Sequence, residues 1–101
     1  MFSVFLGVTM IPFNQISSIL LSRSCSLVEQ WAPGGHYRGA EYITRNPTRA
    51  DKNPGSFKIN TATGEWADFA TSDRGRDLIS LYAYLNGISN GDAARELSLN
   101  L

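Results

Sequence analysis

Residues 46–69 read NPTRADKNPGSFKINTATGEWADF, and the period of their side chains decides the fold. In SFKIN (56–60), Phe57 and Ile59 fall on one side and Ser56, Lys58 and Asn60 on the other. That is the two-residue period of a strand with one buried face. EWADF (65–69) alternates as well, placing Ala67 and Phe69 opposite Trp66 and Asp68. Thr61-Ala62-Thr63-Gly64 links the two runs, with glycine where a left-handed residue closes a hairpin and bulge. The spacing predicts a β-hairpin over about 56–69.

Upstream, EYITR (41–45) is β-branched and aromatic and predicts a strand ended by Asn46-Pro47. Further back, Phe13, Ile16, Leu20 and Leu27 recur at helical steps with Ile19 beside them. Pro12 suits the first turn of that helix, with Asn14 or Thr9 as cap, and Pro33-Gly34-Gly35 ends it. Downstream, Leu78, Leu81, Tyr82 and Leu85 are spaced i, i+3, i+4, i+7, with Asp77 placed to cap or charge the first turn. Asn86-Gly87 stops that helix, and Ser89-x-x-Asp92 opens another before Ala93, Ala94 and Leu97. The expectation is an α+β domain: an N-terminal helix, a small antiparallel sheet around the hairpin, and a C-terminal helical pair covering one face.

With 101 residues, 43% hydrophobic and 18% charged, the chain has room for one modest core. Nine basic and nine acidic residues cancel, so any electrostatic argument is local. A single cysteine, Cys25, excludes an internal disulfide, and with one histidine, His36, no nucleophile–base pairing is visible. The apolar N-terminus, MFSVFLGVTMIPFNQISSILL, lacks a basic start and is interrupted by Pro12, Asn14 and Gln15. It therefore reads as part of a cytoplasmic protein without a membrane segment, not as a leader. Residues 1–9 are expected to be a flexible N-terminal extension and 10–101 a single domain.

Charge is segregated along the chain. Between residues 38 and 58, Arg38, Arg45, Arg49, Lys52 and Lys58 face only Glu41 and Asp51. From 77 onward, Arg95 stands against Asp77, Asp92 and Glu96. Cations on strands and turns beside aromatics suit a nucleic-acid strand, with Tyr37 and Tyr42 as stacking candidates. A solvated basic face reads equally well from the same residues. Asp68, Asp73 and Asp77 read as caps and turn formers ahead of a cation site.

Taken together, EYITRNPTRADKNPGSF, TGEWADFA and GRDLISLYAYLNGISNGDAARELS resemble the N-terminal zinc-ribbon domain of bacterial and phage DNA primases. Those domains carry a Cys-Pro-x-His run before a Pro-Ser-Phe strand, a Cys-x-x-Cys pair after the next strand, and a Gly-Gly-Asp helix start. Here Asn46-Pro47-Thr48-Arg49 stands in the first run, and Pro54, Ser56 and Phe57 match the strand entry with Gly55 inserted. Asp68-Phe69 lies at the first cysteine of the pair, Thr71 near the second, and Gly75-Arg76-Asp77 at the helix start. All four metal ligands of that family are replaced. The chain is thus more similar to a metal-free branch found at the front of plasmid- and phage-borne primase and helicase proteins, from about Met10 onward.

The resemblance implies a monomeric, non-catalytic module of a replication protein, without cofactor or metal, that contacts single-stranded or template DNA. The residues expected to do so are Arg38, Arg45, Arg49, Lys52, Lys58, Tyr42, Arg74 and Arg76. An alternative is a protein-interaction adaptor that docks a primase or helicase core through the C-terminal helices. Trp66, Phe57 and Phe69 are expected to hold the scaffold by apolar packing in place of a metal. Arg49 and Lys52, as turn residues, are expected to be dispensable for the fold.

Overall fold

A computed structural model describes residues 3–6, 9–50 and 55–101. Two short strands, β1 (Ser3–Leu6) and β2 (Thr9–Pro12), pair antiparallel, Ser3 opposite Pro12 and Leu6 opposite Thr9. The stretch expected to be an extension, 1–9, therefore contains β1, while residues 1, 2, 7 and 8 lie outside the described residues.

The expected N-terminal helix is two helices, α1 (Phe13–Leu21) and α2 (Ser24–Trp31). Pro12 itself stands at the start of α1, with no side-chain cap. The break between them has a local cause. The Ser22 hydroxyl donates to Ile19 O at 2.6 Å, and Arg23 leaves helical backbone at φ −117°, ψ 21°. Serine that bonds back to the preceding turn competes with helix continuation. Ser24 then donates to Thr61 O at 2.7 Å, tying the start of α2 to the tip of the central hairpin.

Five antiparallel strands follow in sequential order: β3 (His36–Arg38), β4 (Glu41–Thr44), β5 (Phe57–Asn60), β6 (Trp66–Asp68) and β7 (Asp73–Gly75). The hairpin predicted over 56–69 is β5–β6, with Ile59 opposite Trp66 and Phe57 opposite Asp68. Gly64, at φ +87°, makes its turn, and the Asn60 side chain accepts from the backbone of Ala62 and Thr63. The two outer strands, β3 and β7, are only three residues long, too short to show a period in the sequence.

The last two helices are α3 (Leu78–Asn86) and α4 (Asn90–Ser98). Asp77 caps α3 by accepting from Ser80 N at 2.8 Å, and Gly87 ends it in left-handed backbone. Ser89 caps α4, accepting from Asp92 N at 3.0 Å. Gly75 is required by close approach, since a Cβ there would collide with Ser80 Oγ and the Trp66 indole. That closeness lets Trp66 Nε1–H donate to Ser80 Oγ at 3.0 Å.

The result is an α+β fold with the helices on one side of the sheet. Tyr42, Phe57, Ile59 and Trp66 point to that side and share one core with Ile16, Leu20, Val28, Leu78, Ile79, Leu81, Ala93, Ala94 and Leu97. Among the described residues no helix is long and apolar enough to cross a membrane.

Candidate nucleic-acid interface

Because cross-strand partners share a face, the register assigns the other side of the sheet residue by residue. One row runs His36, Ile43, Lys58, Ala67, Arg74 across all five strands. A second carries Arg38, Glu41 and Asn60, and two-residue steps along the chain add Arg45, Glu65, Phe69 and Arg76. Ile43 is buried here; Lys58 and Ala67 are half-buried, and Arg38, Arg45, Phe69, Arg74 and Arg76 are exposed. Lys58, Ala67, Phe69, Arg74 and Arg76 line one open groove.

Five of the eight residues expected to meet DNA thus lie on this face: Arg38, Arg45, Lys58, Arg74 and Arg76. None of the five forms an ion pair with another described residue. Glu41 and Glu65 are the acidic groups interspersed among them. Lys58 Nζ sits 5.4 Å from the centroid of the Phe69 ring, in cation–π range.

Of the remaining three, Tyr42 and Arg49 are engaged inside the protein. Lys52 lies outside the described residues. Tyr42 is 1% exposed, on the helix side of the sheet, donating to Ala32 O at 2.7 Å and accepting from Gly35 N at 3.0 Å. A ring locked in this way offers no surface to a base, so its expected role is corrected to core. Tyr37 packs against Tyr42 and donates to the Glu29 carboxylate; burial, then Glu29, push its hydroxyl well above its ordinary value.

Arg49 is engaged inside the protein. Its guanidinium pairs with Asp68, Nε to Oδ2 at 3.2 Å and the nearest contact at 3.1 Å, and the Asp68 side chain is fully buried. Asn46, also buried, donates from Nδ2 to Asp68 Oδ2 at 2.8 Å and to the Tyr84 hydroxyl at 2.8 Å. Asn46 Oδ1 accepts from the backbone and hydroxyl of Thr48, and Tyr84 donates onward to Asp73 Oδ2. Ala70 N–H completes the shell of Asp68 at 2.8 Å. Burial by itself raises the Asp68 carboxyl, but the Asn46 amide, the Ala70 N–H and Arg49 outweigh it and hold the group below its ordinary value.

Two expectations are corrected by this cluster. Arg49 is not a free turn cation but the ion-pair partner of a buried carboxylate, so its removal is expected to cost stability. Phe69 is 70% exposed and takes no part in the core. The scaffold is held at this point by charge-assisted hydrogen bonds, with Tyr84 stacked between them and the aromatic core, 4.7 Å from Trp66 and 6.3 Å from Phe57.

The cluster gathers Asn46, Arg49 and Asp68, three of the four positions that the primase resemblance aligns with metal ligands, and Thr71 follows in the same turn. These residues do not fit a zinc ion. One carboxylate is the sole ordinary ligand type, its oxygens are taken by donors, and Arg49 already supplies a positive charge. Among the described residues no group of three or more His, Cys, Asp or Glu is placed to hold a metal.

The fold and the site define an α+β protein with helices on one face of its sheet and a basic face on which no described helix packs. No protein-family model matches the chain, and no curated protein or solved structure is significantly similar to it.

Proposed function

We propose that this chain is a non-catalytic, nucleic-acid-binding module of a replication protein, related to primase zinc ribbons but built without metal. It contacts single-stranded or template DNA through the uncovered face of its sheet. The observation that carries the reading is the convergence of Arg38, Arg45, Lys58, Arg74 and Arg76, from four strands and their flanks, on one surface where they outnumber Glu41 and Glu65 and form no ion pair with a described residue. Cations without internal partners around an exposed ring are the arrangement that tracks a phosphate backbone. The geometry also extends the sequence argument, because Arg74 and Arg76 come from outside the 38–58 basic segment. The resemblance adds support, since the related primase domain helps read template DNA.

Binding by such a face weakens with salt as counterions are released. For about three to four phosphate contacts on a single strand, log K should fall against log salt with a slope of roughly −2 to −3. Lys58→Ala with Arg74→Ala should flatten the slope by about 1.4 and leave the fold intact. Fluorescence anisotropy of a labelled thymidylate oligomer over a salt series measures both. Salt-independent binding, or a slope unmoved by the double variant, would remove this face from the reading.

The adaptor reading has one observation of its own. Leu99, just after α4, is 65% exposed beside an acidic helix. Co-purification of a replicative partner that persists at high salt and is lost with Leu99→Asp would favour it.

A further inference from the structure

The residue on the basic face that electrostatics does not explain is Phe69. Its neighbours on the sheet's other side, Phe57 and Trp66, are buried, while Phe69 leaves 70% of its surface to water. Its position is nonetheless well determined. Its own N–H donates to Ser56 O at 2.8 Å, and the following turn is clamped by Ala70 N–H on Asp68 Oδ1 and Ser72 N–H on Asp68 O, both at 2.8 Å. A fully buried carboxylate thus holds the backbone that presents the ring. Lys58 lies toward the ring at 5.4 Å, and Arg74 occupies the same cross-strand row as Lys58. Ala67 stands between those two cations, and its small side chain leaves room on the floor of the groove.

We propose that Phe69 is the platform on which an unpaired nucleobase stacks, with Lys58 and Arg74 holding the adjoining phosphates. This rests on the nucleic-acid reading above and deepens it by naming what selects the strand. Paired bases within a duplex have both faces covered by their neighbours, whereas a single strand can turn a base onto an exposed ring. Stacking of this kind tolerates every base, because each has a π-face. The face therefore selects single strands over duplexes without reading sequence.

The test separates bases from phosphates. Wild-type protein, Phe69→Ala and Phe69→Trp are titrated at low salt with a thymidylate dodecamer and with an abasic deoxyribose-phosphate chain of the same length, followed by NMR. Wild type and Phe69→Trp should bind the thymidylate roughly ten-fold more tightly than the abasic chain, and Phe69→Ala should lose that preference. Equal wild-type affinity for the two chains overturns the stacking role and leaves the electrostatic reading standing. A preference that survives in Phe69→Ala likewise overturns it. Binding of neither chain overturns both. Dispersed amide spectra of the variants confirm that the fold is intact, as expected for a ring with few internal contacts.

Discussion

Phe57 and Lys58 are consecutive in β5, and they belong to two different surfaces. On the Phe57 side, Tyr42, Ile59 and Trp66 close against four helices, and the carboxylate of Asp68, fully buried among the described residues, is held by hydrogen bonds. On the Lys58 side no helix packs, the cations have no described ion-pair partner, and a phenylalanine stands in water. The difference teaches where each residue type acts. Aromatic area on the inner face stabilises the fold, while on the outer face the same side chain is free to meet something else. A charge on the inner face is locked into structure, whereas on the outer face it contributes a field.

The sharpest way to break this contrast is to truncate one phenylalanine on each side. Phe57→Ala should cost about 3–5 kcal/mol, the usual range for emptying a core aromatic site. Phe69→Ala should stay within about 0.5 kcal/mol, as for a surface residue. Urea unfolding of the two variants measures both, and comparable losses would mean that Phe69 packs after all.

A second comparison sets Arg49 against the cations of the outer face. Asp68→Ala should destabilise by about 3 kcal/mol, because it strands the Asn46 amide, the Ala70 N–H and the Arg49 head together. Arg49→Ala should cost less, about 1–2 kcal/mol, since a third of the arginine side chain is in water and part of the carboxylate's shell survives. Arg74→Ala should be nearly silent in the same urea assay. A silent Arg49→Ala would return that residue to the DNA-binding set.

The smallest effect is a pH dependence. Asp68 has a carboxyl held below its ordinary value in the folded state, so its contribution is fully present above the unfolded value near 4. That contribution declines as pH falls through about 4 and is gone below the depressed native value. The stability gap between wild type and Asp68→Asn should therefore narrow when urea titrations are moved from pH 7 to pH 3. A gap that widens on acidification would mean that Asp68 is protonated in the native state.

How much of this was legible depended on length and on partners. The hairpin, the Asp77 and Ser89 caps and the Gly87 stop are local patterns, each complete within a few residues, and they read correctly from the chain. β3 and β7 carry too few residues to display a period, and the Ser22–Arg23 break hides inside a helical repeat that continues across it. Phe69 is instructive because the alternation of EWADF already set it opposite Trp66. The expectation that it joins the core followed residue type and set that alternation aside. Tyr42 went the other way: its neighbourhood of basic residues suggested binding, and its strand position turned it inward.

The sequence by itself determined the α+β class, the central hairpin with its inner and outer sides, and the helices that end the chain. Those features follow from periodicity and capping, which act between residues close in sequence. Only the tertiary structure decided that Arg49 and Asn46 converge on Asp68 and that Arg74 lies in one row with Lys58. It likewise decided that no described helix packs on the second sheet face. Each of these depends on strand register and on which face the helices choose to bury. Those are long-range outcomes of packing apolar area out of water, and no local spacing encodes them.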